Sequence, residues 1–166
     1  MSAVEESRIR PAPVRRSVVV AAPPERAFAV FVERFDAWWP ASHSIGRAPI
    51  ARAVLEPFAG GRWYEVGTDG AECPWGDVVV YEPPARLVLA WRIGADWTFH
   101  ADLLTEVEVR FEAVDGGTRV DLEHRGLERM GDAAAAARAA LDSPQGWAGI
   151  LDLYAQVAGE AAGSAA

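Results

Sequence analysis

Residues 105–126 read TEVEVRFEAVDGGTRVDLEHRG, and they decide the fold class. Val107, Val109, Phe111 and Ala113 alternate with Glu106, Glu108, Arg110 and Glu112, the period of a half-buried strand. Asp115-Gly116 then offers a type I′ hairpin turn. Closing the chain there sets Val109 opposite Leu122 and Phe111 opposite Val120. On the other face it sets Glu112 against Arg119, Arg110 against Asp121 and Glu106 against Arg125, and leaves Glu108 facing Glu123. Each favourable cross-strand pair contributes ~0.2–1 kcal/mol, so the balance favours this register over a slipped one. The same register carries His124 onto the apolar face, opposite Val107.

Upstream of this hairpin the period of two recurs. Gly60-Gly61 and Asp69-Gly70 mark turns, before strands over residues 62–66 and up to Glu82. Pro83-Pro84 stops the second of these, and Arg86 to Ile93 resumes with Leu87, Leu89, Trp91 and Ile93 on one face. Further back, Val18-Val19-Val20 is a β-branched run that reads as a strand, ended by Pro23-Pro24. Phe28, Phe31, Val32 and Phe35 then follow helical spacing, with Pro24 at the first turn and Glu25 at the positive end of the helix dipole; the helix ends over Asp36 to Pro40.

Downstream, the Ala-rich residues 132–140 suit a short helix, and Ser143-Pro144 suits an N-cap and first helical residue. Trp147, Ile150, Leu151, Tyr154 and Ala158 form a sustained apolar stripe on a long final helix. Neither long helix lies between parallel strands, so a doubly wound fold is not expected. The expected class is α+β: a long antiparallel sheet that must coil, with the last helix filling its concave face. One domain is expected over residues 14–160, after a loose N-terminal segment at 1–13 and before a flexible tail at 161–166.

Composition narrows the function. The formal net charge is −8, and all sixteen basic residues are arginine. Nucleic-acid binding and attachment to anionic lipid both need clustered positive charge, and the absence of lysine removes a P-loop and a Schiff base. No apolar run approaches the ~18 residues of a membrane span. Residues 1–16 lack the apolar stretch of a secretory signal, so cytoplasm is the default expectation. Cys73 is the single cysteine and the three histidines lack metal-ligand spacing, so neither a disulfide nor a metal or other cofactor is expected. Seven tryptophans in 166 residues are a surplus, which suits a cavity lining or an interface.

Several stretches, taken together, match a known group in its order. They are Ser17-Val-Val-Val with Pro24-Glu-Arg-Ala-Phe, then Trp38-Trp-Pro, then Leu55-Glu-Pro with Gly60-Gly-Arg-Trp-Tyr-Glu. Trp75-Gly follows, with Val78-Val-Val-Tyr-Glu-Pro-Pro-Ala-Arg-Leu-Val-Leu-Ala-Trp, then Thr105-Glu-Val-Glu-Val-Arg-Phe. Gly117-Thr-Arg-Val with Leu122-Glu-His, and Gly146-Trp with Leu151, complete the set. The chain thereby resembles the START-like (SRPBCC) superfamily, in the branch similar to the activator of heat-shock protein 90 ATPase. The resemblance implies a helix-grip fold, about six to seven strands wrapped around a long C-terminal helix, and a hydrophobic ligand cavity. Members include lipid carriers, polyketide cyclases, a toxin-sequestering resistance protein and co-chaperone domains. They share no catalytic motif, so the resemblance implies a pocket and no catalytic residue. The resemblance implies a further N-terminal domain in the co-chaperone proper, and none is expected within these 166 residues, which weakens that role.

The candidate ligand-binding residues are Trp39, His43, Glu65, Trp75, Trp91, His124, Trp147, Leu151 and Tyr154. Each has a plainer alternative. The tryptophans, Leu151 and Tyr154 either wall a cavity or pack a solid core. His43 lies in a connection over the cavity mouth, or is simply a solvated loop histidine. Glu65 shares strand parity with Trp63; facing inward it is a buried acid or base, facing outward a solvated charge. His124 either orients a ligand or acts as a base, or else is a core histidine bonded to its neighbours. Three functions follow in order: a non-enzymatic binder of a small hydrophobic or aromatic molecule; a cyclase or hydrolase using His124 with Glu65 or Tyr154; and a co-chaperone-like domain with a chaperone partner. A homodimer is compatible with each.

Overall fold

The computed structural model describes residues 12–165, with side chains as far as residue 160; most of the expected N-terminal lead-in lies outside them. Among the described residues seven strands form one antiparallel sheet. They are β1 (Val14–Val20), β2 (Ile50–Leu55), β3 (Arg62–Gly67), β4 (Glu72–Glu82), β5 (Arg86–Trp91), β6 (Thr105–Val114) and β7 (Gly117–Arg125). The order is β1-β7-β6-β5-β4-β3-β2, so every neighbouring pair except β1–β7 is consecutive in the chain. Helices α1 (Pro24–Glu33) and α2 (Phe35–Trp38) connect β1 to β2. A 3₁₀ segment (Leu127–Ala133), α3 (Ala134–Leu141) and α4 (Trp147–Ala165) follow β7. The sheet curls around α4, the helix-grip arrangement expected from the sequence.

The β6–β7 register is the expected one throughout, from Glu106↔Arg125 to Val114↔Gly117. Its turn is not. Among the described residues Trp97 is the one non-glycine at positive φ, so Asp115 lies at negative φ and only Gly116, at +86°, takes the left-handed conformation. A type I′ turn needs both central residues there, and aspartate avoids that cost while Gly116 does not incur it. The Glu108–Glu123 confrontation is also resolved. Arg125 Nη1 lies between them, 2.5 Å from Glu108 Oε1 and 3.2 Å from Glu123 Oε2. Arg86 and Arg110 reach the other oxygen of Glu108 at 2.7 and 2.9 Å. Burial pushes the Glu108 carboxyl up, but hydrogen bonds from Arg86 and Arg125 outweigh it and hold the group at about 2.

Helix α1 is shorter than its pattern implies. The chain breaks at Arg34 (φ −116°, ψ 31°) and re-forms as α2, which ends with its backbone tied by Trp39 N–H to Phe35 O. Asp36 Oδ1 accepts the Ala53 N–H of β2 at 2.8 Å, fixing α2 to the sheet edge. Phe28, Phe31, Val32 and Phe35 are all buried, as their spacing requires.

The stripe on α4 behaves as expected: Trp147, Ile150, Leu151, Tyr154 and Ala158 are buried against the sheet and α1. The Tyr154 hydroxyl donates to Ala27 O of α1 at 2.6 Å. The start of α4 is a correction. Ser143 does not cap it; its hydroxyl donates back to Ala140 O at the end of α3, 2.7 Å away, and the helix begins at Trp147. Gly146 permits this sharp entry, because a Cβ there would lie 2.2 Å from Leu141 O. At its other end α4 continues to Ala165, through most of the stretch assigned to a flexible tail.

Candidate functional site

A cavity of about 370 Å³ opens at one end of the grip, between the sheet, the α2–β2 connection and the α3–α4 turn. Its wall is aromatic: Trp39 follows α2, Trp75 comes from β4, Trp91 ends β5 and Trp147 opens α4. Ring centroids lie 4.9 Å apart for Trp39–Trp75, 6.0 Å for Trp39–Trp147 and 5.8 Å for Trp91–Trp147. Trp75 owes its inward aim to a bulge. Trp63 pairs with Gly76 and Tyr64 with Pro74, so Trp75 is the extra residue on β4. Such an insertion re-aims a side chain that strand alternation would place elsewhere.

Every one of these four indole N–H groups is committed to the protein. Trp75 donates to Glu65 Oε1 (2.9 Å), Trp91 to Ile93 O (3.0 Å) and Trp147 to His124 Nδ1 (3.1 Å). Trp39 donates to His43 O at 3.4 Å. The walls therefore present ring faces and carbon edges rather than donors. Polar groups gather instead at the rim, on Ser42, His43, Ser44, Ser143 and Gln145. His43 spans this rim. Its Nε2 lies 2.7 Å from Gln145 O, and a carbonyl only accepts, so in the neutral ring Nε2 carries the proton. Nδ1 then keeps its lone pair and accepts from Ser42 Oγ at 3.1 Å. Among the described lining residues His43 is the one titratable side chain.

Four of the nine sequence candidates stand behind the wall. His124 is fully buried and accepts from Trp147 through Nδ1, so its proton is on Nε2, 2.8 Å from Thr105 Oγ1. The Thr105 hydroxyl in turn donates to Trp91 O at 3.0 Å. Both ring nitrogens are thus occupied, and burial pushes the imidazole down to about 3. Glu65 faces inward on β3 as parity with Trp63 implies, fully buried, but its carboxylate is surrounded by donors. Ser44 Oγ reaches it at 2.6 Å, Ile45 N at 2.8 Å and Gly46 N at 3.4 Å, besides Trp75 Nε1. Tyr154 is held by Ala27, and burial raises its phenol far above the usual range. Leu151 packs in the core. No hydrogen bond joins His124, Glu65 and Tyr154, so the catalytic grouping considered from sequence is not assembled.

The structure adds residues that sequence reasoning did not single out as site candidates. Ser42, Ser143 and Gln145 lie on the rim, Ile150 on the wall, and Trp97 on the β5–β6 connection borders the opening. Only the surplus of tryptophan pointed toward Trp97.

The family described as "Activator of Hsp90 ATPase homolog 1-like protein" matches residues 21–158. The chain belongs to this family. Two solved structures extend the likeness of this AHSA1-like protein. Txn09, an anthrahydroquino-gamma-pyrone synthase solved as a complex, is 42% identical, with 89% of this chain and 97% of that one covered and a TM-score of 0.63. CalC from Micromonospora echinospora, a self-sacrificing resistance protein, is 33% identical over 90% and 95% of the two chains, with a TM-score of 0.68. A protein from Rhodobacter sphaeroides at 22% identity, covering 95% and 97% with a TM-score of 0.62, shares the fold. No curated protein matches.

Proposed function

We propose that this AHSA1-like protein binds a flat, fused-ring aromatic molecule in the tryptophan cavity, with the guest's polar edge turned toward the rim. The carrying observation is the cavity wall: four indoles whose N–H groups are all used by the protein, leaving their π surfaces to the guest. Aromatic rings attract one another in offset or edge-on contact beyond simple area burial. A volume of about 370 Å³ lies in the usual range of small-molecule sites. The likeness to a synthase named for an anthrahydroquinone and pyrone supports the same class of guest. Alizarin, a dihydroxyanthraquinone, is a suitable probe. It is expected to quench the intrinsic tryptophan fluorescence saturably at one equivalent and to raise the melting temperature. A linear, unsaturable quench with no thermal shift would remove this reading.

A second reading adds ring closure on the bound guest, favoured by the 42% identity to the synthase. The titratable group on the lining is His43, whose Nδ1 accepts from the Ser42 hydroxyl, so a proton would move through that hydrogen bond. His43→Phe is then expected to abolish closure of a ring-open pyrone precursor, followed by absorbance, while alizarin still binds. Unchanged closure by that variant would refute the role of His43.

A further inference from the structure

Six of the seven tryptophans touch at least one other aromatic ring, and Trp97 alone among them touches none. It borders the cavity, yet 46% of its surface is exposed. Its φ is +60°, a conformation that a bulky L-residue avoids. The surrounding turn over-determines that conformation. Gly94 N donates to Thr98 O and Trp97 N to Gly94 O, both at 2.9 Å. The Asp96 carboxylate accepts Thr98 N at 3.1 Å and holds His100 Nε2 at 2.9 Å, while the Ile93–Phe99 bridge closes the base. A backbone outlier kept in place by so many bonds, carrying a large ring with no partner, marks a functional position rather than a packing one.

We propose that Trp97 is the lid of the cavity, its ring closing over the outer face of a fused-ring guest. The inference rests on the binding reading above. The other four indoles are locked into one another and into the core, so they define the slot but cannot follow the guest. Trp97 is free of such contacts, and a ring that turns about its own side-chain bonds can adapt to the thickness and extent of what the slot holds. The strained φ fixes the height from which the ring hangs, so the turn as well as the ring sets how the lid closes.

The test is calorimetric titration of alizarin into the full chain and its Trp97→Phe, Trp97→Ala and Trp97→Gly variants. The wild type is expected to bind, Trp97→Phe to lose little, and Trp97→Ala and Trp97→Gly to bind roughly tenfold more weakly. Because glycine accepts positive φ, Trp97→Gly is expected to melt about 2 to 4 °C above Trp97→Ala, which separates the ring's role from the backbone's. The exposed position lets all three variants fold, as circular dichroism checks. Equal binding by wild type and Trp97→Ala would overturn the lid while leaving the cavity reading intact. A melting temperature for Trp97→Gly no higher than that of Trp97→Ala would overturn the role of strain. No binding by the wild type would remove the cavity reading and the lid with it.

Discussion

His124→Ala is expected to destabilise the fold by about 3–4 kcal/mol, lowering the melting temperature by about 10 °C, although the residue touches no solvent. The imidazole is fully buried and sits at the centre of a chain of hydrogen bonds. The Trp147 indole donates to it, it donates to Thr105, and Thr105 donates to the Trp91 carbonyl. Alanine leaves the Trp147 N–H and the Thr105 oxygen without these partners and opens a void between β6, β7 and α4. The same residue sets an acid limit. Burial holds its pKa at about 3 against 6.5 in the unfolded chain, so the unfolded state binds the extra proton first. Its contribution is complete above pH 6.5 and is lost as the pH falls toward 3. His124→Gln, which can still offer a carbonyl to Trp147 and an amide N–H to Thr105, is expected to lose less at neutral pH and to flatten stability across that window. Glu108 acts lower, its contribution fading from 4.5 toward 2, so the glutamine variant retains that second acid limb. Chemical denaturation at a series of pH values checks both statements. An unchanged pH profile in His124→Gln would show that the imidazole does not set the upper limb.

How much of this was readable in advance depends on whether independent signals converged. At residues 105–126 alternation, turn residues and cross-strand charges all demanded one register, and the register observed is that one. The apolar stripe of α4 was equally over-determined, since Trp147, Ile150, Leu151, Tyr154 and Ala158 recur at helical spacing and all five are buried. Its starting point rested on a single local cue, Ser143-Pro144, and the hydroxyl, instead of accepting a backbone N–H of α4, donates to the Ala140 carbonyl at the end of α3. In β5 alternation fails as a guide: Val88 and Ala90 are buried along with Leu87 and Leu89, because the outer face of that central strand lies under the arginine–glutamate network.

The cavity was legible as composition but not as geometry. A surplus of tryptophan implies a lined hollow without saying which rings line it. Trp75 enters the wall because of a one-residue bulge against Trp63 and Tyr64, which leaves no mark in residue order. His124 was placed on the correct face, yet its partner Trp147 lies 23 residues away on another element, and that contact is what withdraws it from chemistry. For Glu65 parity alone favoured the inward face, and the structure puts it there. What parity could not supply is the set of donors awaiting it, which come from a loop about 20 residues earlier with no recognisable pattern.

That loop makes Glu65 the position where stability and binding are expected to separate most sharply from surface appearance. One carboxylate oxygen takes Ile45 N–H and the Trp75 indole, and the other takes Ser44 Oγ and the longer contact from Gly46 N. Ser44, Ile45 and Trp75 all line the cavity, so Glu65 ties the rim loop to the aromatic wall from behind without touching a guest. Gly46 belongs to the same arrangement, since a Cβ there would lie 3.0 Å from Cys73 Sγ and 3.3 Å from Glu65 Oε2. Glu65→Ala removes the common acceptor of four buried or half-buried donors, and a loss of about 3–5 kcal/mol is expected. Glu65→Gln keeps the volume and one acceptor but turns an NH₂ group toward donors. It is expected to cost about 1–3 kcal/mol and to loosen either the loop or Trp75, depending on which way the amide settles. In the glutamine variant, therefore, alizarin affinity is expected to fall by more than it does for an equally destabilising substitution in the core, such as Leu122→Ala. Paired denaturation and titration curves for the two variants decide the matter. Equal affinities at equal stability would reduce Glu65 to a buried acceptor with no bearing on the cavity.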